Sequence, residues 1–360
     1  MSMNVAGEDG ARSPAEIARR LAALKENSPN MRARDAATTL GVSEAELLAA
    51  RLGDGVTRLD LRPKQLVEDL AGVGDVMCLT RNEHCVHERK GTFEGIHLSE
   101  KGGVVLGPDI DLRIFFAHWH VAFAVSEEVR SGLRHSIQIF DTDGTATHKV
   151  YAVEATDMDA FNALIEKYRA DEQSPDLALR PTEPKAADLP DEEIDRDGLL
   201  ERWGALKDTH DFFPMLKALK SGRLQALRLA EGTWTERAPV DAFKTGLEKA
   251  AAAKLPIMVF VPNPGVIQIH TGPVESLKEM GPWFNVLDPR FNLHLRMDAI
   301  AESWVVTKPT EDGPVTALEI FDADGNQIAW MFGERKPGKP ELEEWRELAL
   351  SLSGNAARAS

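Results

Sequence analysis

Two basic side chains stand where their surroundings give them chemical work. His210 lies in LKDTHDFFPMLKALKSGR, where Asp208 and Thr209 can cap a helix whose apolar residues Phe213, Leu216 and Leu219 face inward. In that first turn the helix dipole disfavours imidazolium, so the ring stays neutral and has a nitrogen lone pair to give. A neutral imidazole of this kind is a transition-metal donor, the proximal ligand of a haem iron included. A capping or solvated histidine satisfies the same position. Arg113 lies in DLRIFFAHWHVAFAV, which otherwise reads as an apolar strand. Alternation puts Arg113, Phe115, Ala117 and Trp119 on one face and Leu112, Ile114, Phe116 and His118 on the other. A guanidinium among aromatic rings needs an anion, a carbonyl or solvent, and an ion pair with a helix carboxylate is the alternative to a ligand.

Three more basic residues follow in the second half: Arg223 after the His210 helix, Lys308 at the end of ESWVVTK, and Arg335 in MFGERKPG. Together they could grip ligand carboxylates, Arg in bidentate fashion. Phe260, Trp330 and Phe332 read as sheet core, or equally as the bed for a flat apolar ligand. Strict alternation sets Arg335 opposite Trp330 and Phe332, so a shared face requires a bulge near Gly333. His84, Cys85 and His87, and His118 with His120, offer zinc-type donors, but neither group has an established zinc spacing. There is no phosphate loop, no GxSxG and no HExxH.

The elements that position these residues come in two copies. Met77 and Met258 are 181 apart (258 − 77), and the register continues without a gap through Asn82/Asn263, Gly91/Gly272 and Pro108/Pro289 to SIQIFDTDG against ALEIFDADG. A match of that length means duplication of a whole domain. It also sets His294 opposite Arg113, so the copies have diverged there. Strand-like runs recur in both copies, and the DTDG and DADG steps read as two-residue hairpin turns whose glycines take positive φ. Helical material opens each copy at 14–52 and 199–229. The sequence therefore predicts an α+β fold, a tandem duplication of a domain with a large, mostly antiparallel sheet flanked by helices. The bounds are an N-terminal repeat at 1–170, an acidic Pro-rich linker at 171–198 that supplies no core, and a C-terminal repeat at 199–352.

The 360 residues are 43% hydrophobic and 28% charged, a globular composition, and the formal charge of −16 disfavours nucleic acid as a partner. Residues 35–53 read helix, turn, helix, but Glu44 and Glu46 stand where a phosphate would approach. No run nears the roughly 18 apolar residues of a membrane span, and the N-terminus has no secretory order. Two cysteines, Cys78 and Cys85, make no disulfide framework.

TRNEHCVHERKG, LGPDIDLRIFFAHWHVAFAV, WGALKDTHDFFPMLK, IQIHTGPV and FDADGNQIAWMFGERKPGKPE together resemble the bacterial hemin-degrading or hemin-transport factor family, the HemS/ChuS/HmuS type, from about residue 30 to about 350. The resemblance implies a cytoplasmic protein that takes up imported haem and degrades it to release iron, or a non-catalytic chaperone that delivers haem to a separate oxygenase. It implies His210 as the iron ligand and Arg113 as the catalytic residue on the opposite face of the macrocycle. Arg223, Lys308 and Arg335 match the propionate side and Phe260 a ring contact. Trp330 and Phe332 stand where relatives often carry Gln and Tyr, which removes polar contacts near the haem. An inner-membrane haem importer, a haem oxygenase or reductase, and a homodimer are the implied partners.

Overall fold

The computed structural model describes residues 13–28, 31–129, 132–182, 188–335 and 338–354. The first twelve residues and part of the linker, 183–187, lie outside that set. The chain forms two compact units, one of residues 1–80, 90–183 and 263–266, the other of residues 81–89, 184–262 and 267–360. Unit membership thus interleaves in sequence: a short hairpin segment from each half is counted with the other unit.

In the first unit the strands Val56–Leu59, Val121–Val129, Gly132–Phe140, Ala146–Thr156 and Gly74–Arg81 neighbour one another in that order. Each neighbouring pair is antiparallel. The strands Ile96–Ser99, Gly102–Leu106 and Asp111–Phe115 form a second antiparallel run. Alternating residues such as Val76, Cys78, Ile137, Ile139 and Val150 are fully buried against Phe161 and Leu164 of the helix Met158–Tyr168.

In the second unit the run is Thr235–Ala238, Glu302–Thr310, Gly313–Phe321, Gln327–Gly333, Ile257–Pro262 and Val266–Gly272. A further run comprises Cys85–Gly91, Phe291–Arg296, Trp283–Leu287 and Leu277–Met280. Val259, Leu318 and Met331 on one face bury against Phe243 and Leu247 of the helix Ala242–Ala253 and Trp345 of the helix Glu343–Leu350. Each such fully buried large side chain stabilises by roughly 1.5–3 kcal/mol. Trp345 lies so close to Gly333 that a Cβ there would meet it at 2.6 Å, so the strand ends on a glycine. Opposite faces of the same strands carry Glu319, Trp330 and Phe332 toward the helices Arg196–Gly204, Phe212–Leu219 and Arg223–Leu229.

The duplication is visible element by element. Strands 85–91, 96–99, 102–106, 121–129 and 132–140 recur 181 residues later at 266–272, 277–280, 283–287, 302–310 and 313–321. The short 3-10 turn 116–118 recurs at 297–299. Within the second unit, His87 Nδ1 bonds Gln268 at 2.9 Å and Arg89 bonds His270 Nδ1 at 3.1 Å. Each of these residues meets its own repeat mate.

Several local expectations need correction. DLRIFFAHWHVAFAVS is not one strand: it ends at Phe115, turns through Phe116–His118, and resumes at Val121, so the long alternation breaks after Phe115. The Asp-Gly loops span residues 141–145 and 322–326, longer than a two-residue turn, although Gly144 and Gly325 do take φ of 80° and 77°. The segment after 170 supplies core: Leu177 is buried among Ala45, Phe123 and Phe140. Glu44 is buried and bonds Lys149 at 3.4 Å instead of facing solvent. Among the described residues no helix is long and apolar enough to cross a membrane.

Candidate functional site

Asp208 is the cap from which the His210 corner is built. Its Oδ1 accepts the backbone N–H of His210 at 2.7 Å, and Asp211 returns a bond to the Asp208 N–H at 3.2 Å, a reciprocal capping box. His210 occupies the 3-10 turn Thr209–Asp211 that leads into the helix Phe212–Leu219, one step before the α-helix in which the sequence puts it. The same Asp208 Oδ1 lies 2.6 Å from His210 Nδ1. A carboxylate can only accept, so Nδ1 carries the hydrogen, and in the neutral ring the lone pair is on Nε2. The side chain is 88% exposed, and Nε2 has no protein partner among the described residues. The backbone N–H of His210 holds the Asp208 carboxyl below its ordinary range, and the ring of His210 and the Arg335 guanidinium act in the same sense.

The helix that follows turns differently from the sequence expectation. Phe212, Met215 and Leu216 face the core, whereas Phe213 is 71% exposed. Phe212, Met215, Leu216 and Leu219 recur at i, i+3, i+4 and i+7 and so share one helix face, which turns Phe213 out. Phe212 packs edge-on against Trp203 at 4.6 Å and offers its face to two cations, Lys308 Nζ at 4.3 Å and the Arg223 guanidinium at 5.2 Å.

Lys308 and Arg223 converge on Glu319, a carboxylate with no solvent exposure. Arg223 bonds it through Nε at 2.8 Å and Nη2 at 2.6 Å, Lys308 approaches at 3.4 Å, and Gln327 Nε2 donates at 3.0 Å. Burial acts to raise the Glu319 pKa, but Arg223 and Lys308 outweigh it and take the carboxyl down to about 2. Burial lowers the Lys308 ammonium to about 8, only partly opposed by Glu319, while Arg223 adds to the lowering. Arg223 also lies 5.8 Å from the Trp330 ring centre.

Trp330 stacks on Phe260 at 5.3 Å and 19°, a consequence of the register that sets Phe260 beside Trp330 on adjacent strands. Phe332 meets Phe260 edge-on at 5.2 Å. All three are half-buried on the face away from the Val259 and Met331 core. Arg335 lies beyond the strand, which ends at Gly333, so the bulge expected there is not needed. Its Nε is buried without a partner among the described residues, and its charge acts on Asp208.

In the second unit Glu319 and Phe212 join Arg223 and Lys308, Arg223 lies near Trp330, which stacks on Phe260 beside Phe332, and Asp208 relates His210 to Arg335. Of these three links, Asp208 entered the sequence reading only as a cap, and Glu319 and Phe212 not at all. The signal for Glu319 was present: a carboxylate within the apolar run ALEIF must have buried cationic partners. A cleft of about 450 Å³ opens beside Arg223, lined also by Asp191, Gln225, Arg228, Asp324 and Gln327, and its acidic, polar walls differ from the aromatic face.

Arg113 belongs to the first unit. It is held by Asp111 of its own strand and by the Leu112 carbonyl at 3.3 Å, so its ion pair is with a strand carboxylate, not a helix one. Burial raises the Asp111 carboxyl above its ordinary range despite Arg113. His294, its repeat mate, bonds Asn285 at 2.7 Å. The zinc-type donors go separate ways: His84 to Asp322 at 3.5 Å, His118 to Asp141 at 2.8 Å, His120 to the Leu177 carbonyl at 3.0 Å, with Cys85 buried and its thiol pushed up by that burial. Among the described residues no three His, Cys, Asp or Glu side chains converge as a metal cluster.

Residues 41–168 and 220–352 each match the model of the haemin-degrading HemS/ChuX domain. The hemin transport protein HemS of Yersinia enterocolitica is 42% identical over 336 residues, covering 91% of this chain and 95% of that one. The crystal structure of holo-PhuS, a heme-binding protein from Pseudomonas aeruginosa, is 50% identical with a TM-score of 0.93, covering 95% of this chain and 99% of that chain. That of ChuS, an E. coli heme oxygenase, is 38% identical with a TM-score of 0.84, covering 93% and 99%.

Proposed function

Since the chain belongs to the haemin-degrading HemS/ChuX family, we propose that it binds haem, with His210 Nε2 as the iron ligand. The observation that carries this reading is the Asp208–His210 pair, in which a carboxylate fixes the ring tautomer and leaves Nε2 outward. Metal-bound histidines are oriented by such carboxylates. The residues of the second unit fit the group: a ring bed of Phe260, Trp330 and Phe332, and the cations Arg223, Lys308 and Arg335 for its two carboxylates.

We further propose that the protein receives imported haem in the cytoplasm from an inner-membrane importer and opens the ring to release iron, with electrons from a separate reductase. Haem, when bound, supplies the redox chemistry. The chain supplies the imidazole, the aromatic bed, the charge for the carboxylates and, on the resemblance alone, Arg113 as the catalytic hydrogen-bond donor. The alternative is a non-catalytic chaperone that delivers haem to a separate haem oxygenase. Relatives support either reading, since one similar structure is that of a heme-binding protein and another that of a heme oxygenase. A single-turnover experiment on the hemin complex with a reductant and oxygen separates them. Loss of the Soret band with stoichiometric iron release supports degradation, and an intact spectrum supports carriage.

A further inference from the structure

Glu319 sits in the middle of the strand Gly313–Phe321 with no exposure and takes donors on both oxygens: Arg223 Nη2 and Lys308 on Oε1, Arg223 Nε and Gln327 on Oε2. Such a buried carboxylate is expensive unless its charge is matched, and here two cations meet one anion, leaving a single net positive charge (2 − 1). Arg223 has five N–H groups. Two go to Glu319, and the others have no acceptor among the described residues. The clamp therefore fixes one edge of a guanidinium whose centre lies 5.8 Å from the Trp330 ring centre, and leaves the other edge without a protein acceptor among the described residues.

The first unit indicates that this cluster is not demanded by the fold. Gln138 stands 181 before Glu319 and bonds Ser136 at 3.0 Å, and Glu127 stands 181 before Lys308 on the matching strand. The helix that matches Arg223–Leu229 begins at Glu44, 179 earlier (223 − 44), the spacing also seen between the paired strands that begin at Val56 and Thr235. There Glu44 bonds Lys149, so the charges are reversed in that copy. The same architecture is built with a neutral amide where Glu319 stands and an acid where Arg223 stands.

We propose that Glu319 is the positioning residue that makes this face selective for a ligand carboxylate, by clamping Arg223 and Lys308 so that the free guanidinium edge and one net positive charge meet a haem propionate. It deepens, and rests on, the haem reading above. The charged groups that act on Lys308 are Glu319 on the neighbouring strand and Arg223 on the helix, with the Phe212 ring over the ammonium.

Hemin and hemin dimethyl ester, titrated by Soret absorbance from pH 6 to pH 9 into the full-length protein and its Glu319→Gln and Glu319→Asp variants, test this. The wild type prefers hemin over the ester, and the preference declines as pH passes the Lys308 value of about 8. In Glu319→Gln the lysine loses the group that raises its pKa, so the decline moves to lower pH. Near pH 7.5 the preference for hemin falls by about tenfold, the worth of one charge-assisted hydrogen bond, while ester binding holds. Glu319→Asp keeps part of the preference and serves if the Gln variant does not fold. A wild-type preference and pH profile in both variants overturns the proposal, as does an equal loss for both ligands at every pH, the mark of a packing role. Failure of the wild type to bind hemin overturns the haem reading itself, which is a separate result.

Discussion

His210 Nδ1 lies 2.6 Å from Asp208 Oδ1, and the same oxygen takes the His210 backbone N–H at 2.7 Å. One carboxylate thus caps the turn and sets the tautomer of the ring it carries. Asp208→Asn keeps the cap but can meet Nδ1 with either its N or its O, so the tautomer is no longer imposed. Hemin affinity is expected to fall about 10- to 100-fold, in line with other orienting partners of metal-bound histidines. Stability should change little, as Asn is a good cap. Equilibrium titration together with a thermal melt checks both parts.

Phe260 joins two rings, Trp330 at 5.3 Å and Phe332 at 5.2 Å. Phe260→Leu keeps most of the apolar volume but removes both ring pairs, at about 0.5–1.5 kcal/mol each. A lowered midpoint in urea at unchanged slope, with weaker hemin binding, is the expected outcome. Hemin binding at wild-type strength would show that the aromatic bed does not touch the ligand.

Arg113 is tied to Asp111 on its own strand. Arg113→Ala is expected to leave hemin bound within a few-fold of wild type while altering the ferric spectrum and slowing any turnover with reductant. Spectra and turnover identical to wild type would make this arginine structural.

Three buried histidines set a pH dependence of stability, and desolvation takes the first of them, His87, well below its ordinary range. Desolvation lowers His148 to about 3, and lowers His270 to about 3 with Arg89 adding to it. The unfolded chain has them near 6.5, so between 6.5 and 3 the unfolded state binds more protons. Their contribution is therefore fully present above about pH 6.5 and is lost as pH falls toward 3, with a slope of up to about 1.4 kcal/mol per pH unit for each. Urea midpoints measured from pH 8 to pH 4 should fall, and His148→Phe should flatten the fall. A flat profile in the wild type would contradict the buried, neutral assignment.

The duplication was legible because a gapless 181-residue offset leaves strand lengths and turns in register, and strands 121–129 and 302–310 keep it. The strand break at Phe116–His118 was not legible, because a 3-10 turn of Phe, Ala and His leaves an apolar run that reads as continuous strand. The inward face of the His210 helix was legible at Leu216 and Leu219 but not at its start, where two adjacent phenylalanines compete and Phe212, seven before Leu219, is the buried one. His210, Arg223 and Lys308 could be named from residue type and resemblance. Glu319 could not be paired with them, because 96 and 11 residues of chain separate it from its two cations.

Hemin titrated into the wild type and into His210→Ala, read by visible absorbance with and without added imidazole, tests the ligand assignment most directly. The wild type should give a saturable Soret shift at one equivalent. His210→Ala should bind more weakly, with a changed ferric spectrum that imidazole restores. A variant whose affinity and spectrum match the wild type, indifferent to imidazole, would contradict the assignment of His210 as the iron ligand.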